Sequence, residues 1–185
     1  APFFFMKSKI SVLLSVFLSM IHTSTLWGQV ESISSLKFLG GYEVQNGKRY
    51  ENTTIGGLSG IDYDSAKGIY YIISDDRSGI NPVRYYRAKI FISEKGIDSV
   101  QFVAVQYLLQ ANGNVYPDYK MDAEHAPDPE AIRINFKTGQ LVWTSEGERT
   151  RKTDRFVLQS PSINVSGLDG RYMESFPMAI NAFMY

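Results

Sequence analysis

Cysteine is absent from all 185 residues, so the chain has no disulfide framework, no lipobox for acylation and no thiol nucleophile. Histidine is almost absent. Only His22 and His125 occur, which leaves a multi-histidine zinc site without ligands and would make a Ser-His-Asp triad depend on one loop histidine. The segment "GLSGI" at residues 57–61 is not the G-x-S-x-G nucleophile elbow, and neither a Walker A nor a Rossmann glycine pattern is present. Charge of one sign is not in excess either: 19 basic residues face 19 acidic ones. That balance gives no reason to expect nucleic acid or an anionic membrane surface as a partner. Beyond residue 28 no window shows a convincing amphipathic helix, and no apolar run is long enough to span a bilayer.

What remains is a β-rich composition, with aromatics at 14% of the chain, mostly Tyr and Phe, and 44% hydrophobic residues. The start reads differently from the rest. From Met6 the chain runs "MKSKISVLLSVFLSMIHTSTLWGQV": a basic opening at Lys7 and Lys9, an apolar run over residues 10–21, then a polar exit. This is the layout of a secretory signal peptide, expected as a helix and cleaved near Gly28, with "APFFF" before Met6 read as upstream sequence. An uncleaved N-terminal anchor is the alternative, because "LWG" is a poor match to A-x-A. The expected locations are therefore secreted or periplasmic, with no stable membrane span after cleavage.

The mature part, residues 29–185, reads as strands and turns. Residues 60–63 and 69–74 are short apolar runs joined by "DSAKG"; residues 131–135 and 140–145 repeat the design around "FKTG". Between them, residues 83–92 and 99–109 form a second hairpin around "SEKGID". The outer pairs are related by a fixed offset. Glu130 lies 71 positions after Ser59, and the same shift aligns Ile61 with Ile132, Gly68 with Gly139, Ser74 with Ser145 and Asp75 with Glu146. Four strands per period is the content of one propeller blade; the excess length fits in the polar loop over residues 110–130. The expected fold is all-β, a partial β-propeller of about two to three blades.

The segments "GGLSGIDYD", "YYIISDDR", "PVRYYRAKI", "DPEAI", "SEGE" and "SFP" occur in this order over residues 56–177. Together they resemble the secreted phytase-like β-propeller family described as "esterase-like activity of phytase". Ala131 departs from the resemblance, standing where the family pattern prefers Gly. The family's greater length implies that the chain is an N-terminal part of a larger ring, marginally stable and inactive alone, since a propeller covers its edges only by closing.

In such a ring the innermost strands border a central channel, and polar residues at their ends converge on one mouth. Ser59 with Glu130, and Asp75–Asp76 with Glu146, occupy equivalent points. Convergent carboxylates serve either as hard-cation ligands or as general acid and base. The resemblance favours a metal, Ca²⁺, at Asp75, Asp76 and Glu130, with Glu130 and Glu146 as catalytic candidates. Arg77 and Arg84 would then grip phosphate oxygens. Each has a plainer reading: Asp75 and Asp76 end a strand where turns favour Asp, and the arginines suit surface ion pairs. The acidic loop "DAEHAPDPE" lacks EF-hand spacing and reads first as a solvated insertion; "ERTRKTDR" reads as a charged hairpin tip. The implied function is an exported phosphoric-ester hydrolase working with metal assistance on a small phosphorylated substrate. The alternative is a non-catalytic propeller binding a sugar, peptide or protein at the channel mouth.

Overall fold

The computed structural model describes residues 33–151 and 156–178. The expected signal-peptide helix, the tip of the charged hairpin at residues 152–155 and the final "AINAFMY" lie outside those residues. All elements below belong to the compact unit that starts at Leu39.

Twelve strands follow in chain order: β1 (Arg49–Tyr50), β2 (Thr53–Thr54), β3 (Leu58–Asp64), β4 (Ile69–Ser74), β5 (Arg84–Ser93), β6 (Gly96–Tyr107), β7 (Pro129–Asn135), β8 (Gln140–Ser145), β9 (Glu148–Arg151), β10 (Phe156–Gln159), β11 (Ser162–Gly167) and β12 (Tyr172–Pro177). The fold is all-β, and among the described residues there is no α-helix and no closed sheet. Two four-stranded antiparallel sheets dominate. The first runs β3-β4-β5-β6; the second runs β7-β8-β11-β12, with the β9–β10 hairpin inserted between its second and third strands. Both sheets thus take their strands in chain order, neighbours joined by returns except where the β9–β10 hairpin intervenes between β8 and β11, as antiparallel pairing permits.

Local sequence explains the strands. β4 reads "IYYIIS", a run of β-branched and aromatic residues whose last four are buried. β8 reads "QLVWTS" and alternates, burying Leu141, Trp143 and Ser145. The two faces meet in the main core: Tyr71, Ile73, Val83, Tyr85 and Leu108 from the first sheet and its flanks, and Ile132, Ile134, Leu141 and Trp143 from the second. Trp143 is 1% exposed; its Nε1–H donates to Ser166 Oγ at 3.1 Å, and Tyr116 meets the indole edge-on at 6.1 Å. The opposite face of the first sheet carries a second cluster of Ile55, Ile72, Tyr86, Ala88 and Phe102, with Val44 and Tyr50 packed against it.

The sequence offset is reproduced atom by atom. Leu58 pairs with Ser74 and Gly60 with Ile73, leaving Ser59 as a bulge; 71 residues on, Pro129 pairs with Ser145 and Ala131 with Thr144, leaving Glu130 as the same bulge. Asp64 Oδ1 accepts from the N–H groups of Ala66 and Lys67, and Asn135 Oδ1 accepts from those of Lys137 and Thr138. The N–H of Asp75 donates to Gly57 O at 2.7 Å, and that of Glu146 donates to Asp128 O at 3.0 Å. Two ordinary hairpins do not share a bulge, a turn and a strand-end clip at one offset. They are one unit used twice.

The two copies touch along their first strands. Ser59 Oγ donates to Pro129 O at 3.1 Å, Arg133 Nη1 to Ile61 O at 2.8 Å, and the Ile134 N–H to Asp62 Oδ2 at 2.7 Å. Gly60 lies so close that an added Cβ would stand 2.8 Å from both Ala131 Cα and Glu130 O. Replacing Gly60 by Val is therefore expected to cost about 1–3 kcal/mol, as overpacked sites do, because backbone cannot yield as a side chain can. Thermal denaturation monitored by circular dichroism measures the loss; an unchanged midpoint would contradict the contact.

Candidate functional site

Where β3 and β7 begin, and β4 and β8 end, the acidic residues gather. Glu130 owes its direction to the bulge: as the unpaired extra residue it leaves the ladder alternation, and bulges of this kind re-aim side chains at strand ends. Asp128 is fixed by two clips to the end of β8. Its N–H donates to Ser145 Oγ at 2.9 Å and its carbonyl accepts from Glu146 N–H. The same clips place Glu146 just past Ser145. Asp128, Glu130 and Glu146 consequently each offer a carboxylate oxygen within 4.8 Å of the others. Asp75, the repeat partner of Glu146, follows the last residue of β4 and contributes its charge to both Asp128 and Glu130.

The electrostatics follow from crowding. Burial raises the Asp128 carboxyl above the ordinary carboxylate range; Arg77 opposes this, while Glu146, Asp75 and Glu148 add to it. Burial likewise raises Glu130, reinforced by Glu146, Asp128 and Asp75. Like charges held this close favour a bound proton or a bound cation. The donor set is all carboxylate oxygen, with no imidazole or thiolate, and suits a hard divalent cation of the Ca²⁺ or Mg²⁺ kind.

Arg77 stands beside the cluster but faces protein groups. Its Nη2 lies 2.7 Å from Glu148 Oε2, its Nε 3.7 Å from Asp128 Oδ2, and its Nη2 donates to Ala126 O at 3.2 Å. The guanidinium also lies 5.4 Å from the Tyr119 ring.

The structure places the remaining sequence candidates elsewhere. Asp76 points away from the cluster and organises the loop to β5. Its Oδ1 accepts from the N–H groups of Gly79 and Ile80, and its Oδ2 from Asn81 N–H and Arg84 Nη1, both at 2.9 Å. Both oxygens are thus used internally, which leaves little lone-pair capacity for the metal role read from the sequence. Arg84 is 1% exposed. Its guanidinium donates to Asp76, Thr54 O, Asn81 O, Pro82 O and the Tyr86 hydroxyl. A phosphate group could reach it only by breaking that network, so the substrate-gripping role gives way to a structural one. The sequence underweighted Asp128 and Glu148. Asp128 sits in the "DPE" triplet, inside a stretch whose composition reads as a solvated loop. His125, in the same loop, pairs instead with Asp122 at 2.9 Å.

Comparison with protein families adds the decisive observation: the model for phytase-like proteins, "Esterase-like activity of phytase", matches residues 53–183. The chain belongs to the phytase-like family. By that description it is a hydrolase-like family, and the match spans both sheets and the acidic cluster. Neither the curated proteins nor the solved structures contain a match to this chain.

The raised carboxyls set a sign. A carboxyl whose folded pKa exceeds its unfolded one binds its proton more tightly in the native state, so stability falls as pH rises from the unfolded value through the folded one. For the cation-free protein, Glu130→Gln should remove part of this loss. The melting temperature of the variant minus that of the wild type is expected to grow more positive from about pH 4 to about pH 7 in chelator. A difference that stays flat or shrinks over this range would remove the electrostatic account of the cluster.

Proposed function

We propose that this member of the phytase-like family is an exported, cation-assisted hydrolase of phosphoric esters, and that its two repeated sheets are consecutive blades of a β-propeller. The single observation that carries the reading is the convergence of Asp128, Glu130 and Glu146 within 4.8 Å at the junction of the two sheets. Export is supported by the basic, apolar and polar succession over residues 6–28. The blade assignment is supported by strand order and by the repeated bulge.

Asp128 and Glu130, both half-buried, are the donors that would hold a Ca²⁺ ion, with Asp75 at the margin. A bound cation would supply charge neutralisation for a phosphoryl oxygen. Glu146, the exposed member, is placed to take a proton from an attacking water. Arg77, with Nε 3.7 Å from Asp128 Oδ2, offsets part of the cluster's negative charge. The bond broken is the phosphorus–oxygen bond of a phosphate monoester; water supplies the new oxygen, and the alcohol leaves with a proton.

Release of inorganic phosphate from a panel of monoesters tests this. Activity is expected with Ca²⁺, to vanish in chelator, and to fall by about 10²-fold or more in Glu146→Gln. Rates indifferent to chelator and to the substitution would refute the hydrolase reading. Cation binding without turnover would favour a non-catalytic ligand-binding propeller.

A further inference from the structure

Two segments of the chain join asparagine to glycine, Asn46–Gly47 and Asn112–Gly113, and one joins aspartate to glycine, Asp169–Gly170. Such pairs are chemically special. Glycine has no side chain to shield its amide nitrogen, and that nitrogen can attack the carbonyl carbon of the preceding side chain. The attack needs both partners free to rotate, so the fold decides which pair reacts.

At Asn112–Gly113 both partners are held. Gly113 N–H donates to Gln110 O at 2.9 Å, and Asn112 Oδ1 accepts from Asn114 N–H at 2.9 Å. At Asp169–Gly170 the restraint is tighter. Gly170 N–H donates to Gly167 O at 2.9 Å, Asp169 Oδ1 accepts from Arg171 N–H at 3.1 Å, and Gly170 is buried against Tyr107 O. Neither restraint is present at Asn46–Gly47 among the described residues. Its turn is closed from outside, by Lys48 N–H on Gln45 O at 3.0 Å, and both residues are exposed. Gly47 has a φ of +74°, as a type II turn requires at its third position, and nothing lies within 4 Å of where a Cβ would stand. A ring can close there without collision.

We propose that Asn46 is a self-modifying site at which the folded chain loses ammonia. The Gly47 nitrogen gives up its proton to solvent and bonds to Asn46 Cγ. The Cγ–Nδ2 bond breaks, and the side-chain amide leaves as ammonia after taking up a proton. Water opens the resulting succinimide ring at either carbonyl. One opening leaves an aspartate; the other leaves an isoaspartate, in which the main chain runs through Cβ and is a methylene longer. Nothing is oxidised or reduced, and water is the only co-reactant.

The position gives the change a consequence. The turn lies between Val44 and Tyr50, which both pack against the cluster of Ile72, Tyr86 and Phe102. Just after it, Lys48 O accepts from Ile55 N–H at 2.8 Å, and Lys48 Nζ lies over the Phe102 ring. A longer main chain between these anchors pulls them out of step, and a new carboxylate beside Lys48 competes for its ammonium. The isoaspartyl form is therefore the less stable one.

Ageing the full chain in mildly alkaline buffer tests this, read by peptide mass spectrometry and by isoaspartyl methyltransferase labelling. Asn46 is expected to convert about tenfold faster than Asn112, where two hydrogen bonds must open first. In denaturant, where the fold no longer selects, the two should convert at similar rates. Asn46→Ser should remove most of the labelling of the folded chain. Aged wild-type protein should melt below fresh protein, and aged Asn46→Ser should not. Equal rates at Asn46 and Asn112 in the folded chain, or a preference that persists in denaturant, overturns the proposal. Isoaspartate at position 46 with an unchanged melting temperature overturns the destabilising consequence.

Discussion

Between Gly60 and Ala131 there is no room for a side chain, and much of the structure follows from that contact. Because β3 can approach β7 at backbone distance, Ser59 reaches Pro129 O and Arg133 reaches Ile61 O. The faces behind these strands then close over Ile73, Tyr85, Ile132 and Trp143 and exclude water from the seam. The hydrophobic effect supplies the driving force, but it is non-directional and would accept several offsets. The close approach and its hydrogen bonds select the one in which the ends of four strands, β3, β4, β7 and β8, share a rim.

That rim concentrates negative charge, and the fold tolerates this in two ways. Arg77 extends from the loop after β4 to Asp128 and Glu148, linking the first sheet to the start of β7 and the base of the hairpin. The remaining repulsion appears as raised carboxyls at Asp128 and Glu130. Arg77 and Arg84 make an instructive pair. Seven residues apart and alike in sequence, one balances a partly open acidic group, while the other is sealed under Thr54 and Tyr86 with Asp76 as its counter-ion.

Much of the fold was legible in the chain. Periodicity and turn chemistry place β4, β7 and β8 nearly to the residue, and the self-alignment finds the repeat because both hairpin turns need Gly at positive φ (Gly68, Gly139) and both second strands end on a buried serine (Ser74, Ser145). Acidic residues on the shared rim, Glu130 and Glu146, were also readable from equivalence alone. What escaped depends on direction and burial, which a linear pattern does not encode. Asp75 and Asp76 are neighbours in the chain, yet backbone geometry turns the first toward the cluster and the second into a loop. Asp128 precedes a proline in a polar stretch and looked solvated; only the clip to Ser145 shows it pinned. β11 and β12 carry little sequence signal, since β11 is mostly small and polar and β12 buries none of its residues fully.

The twin bulges amount to one backbone socket filled differently: a hydroxyl in the first copy, a carboxylate in the second. Neither backbone requires its occupant, since an unpaired residue sits outside the ladder that holds the sheet. Architecture and chemistry are therefore separable in this protein. A descendant could keep every strand and forfeit one member of the charge trap by changing a single codon at position 130.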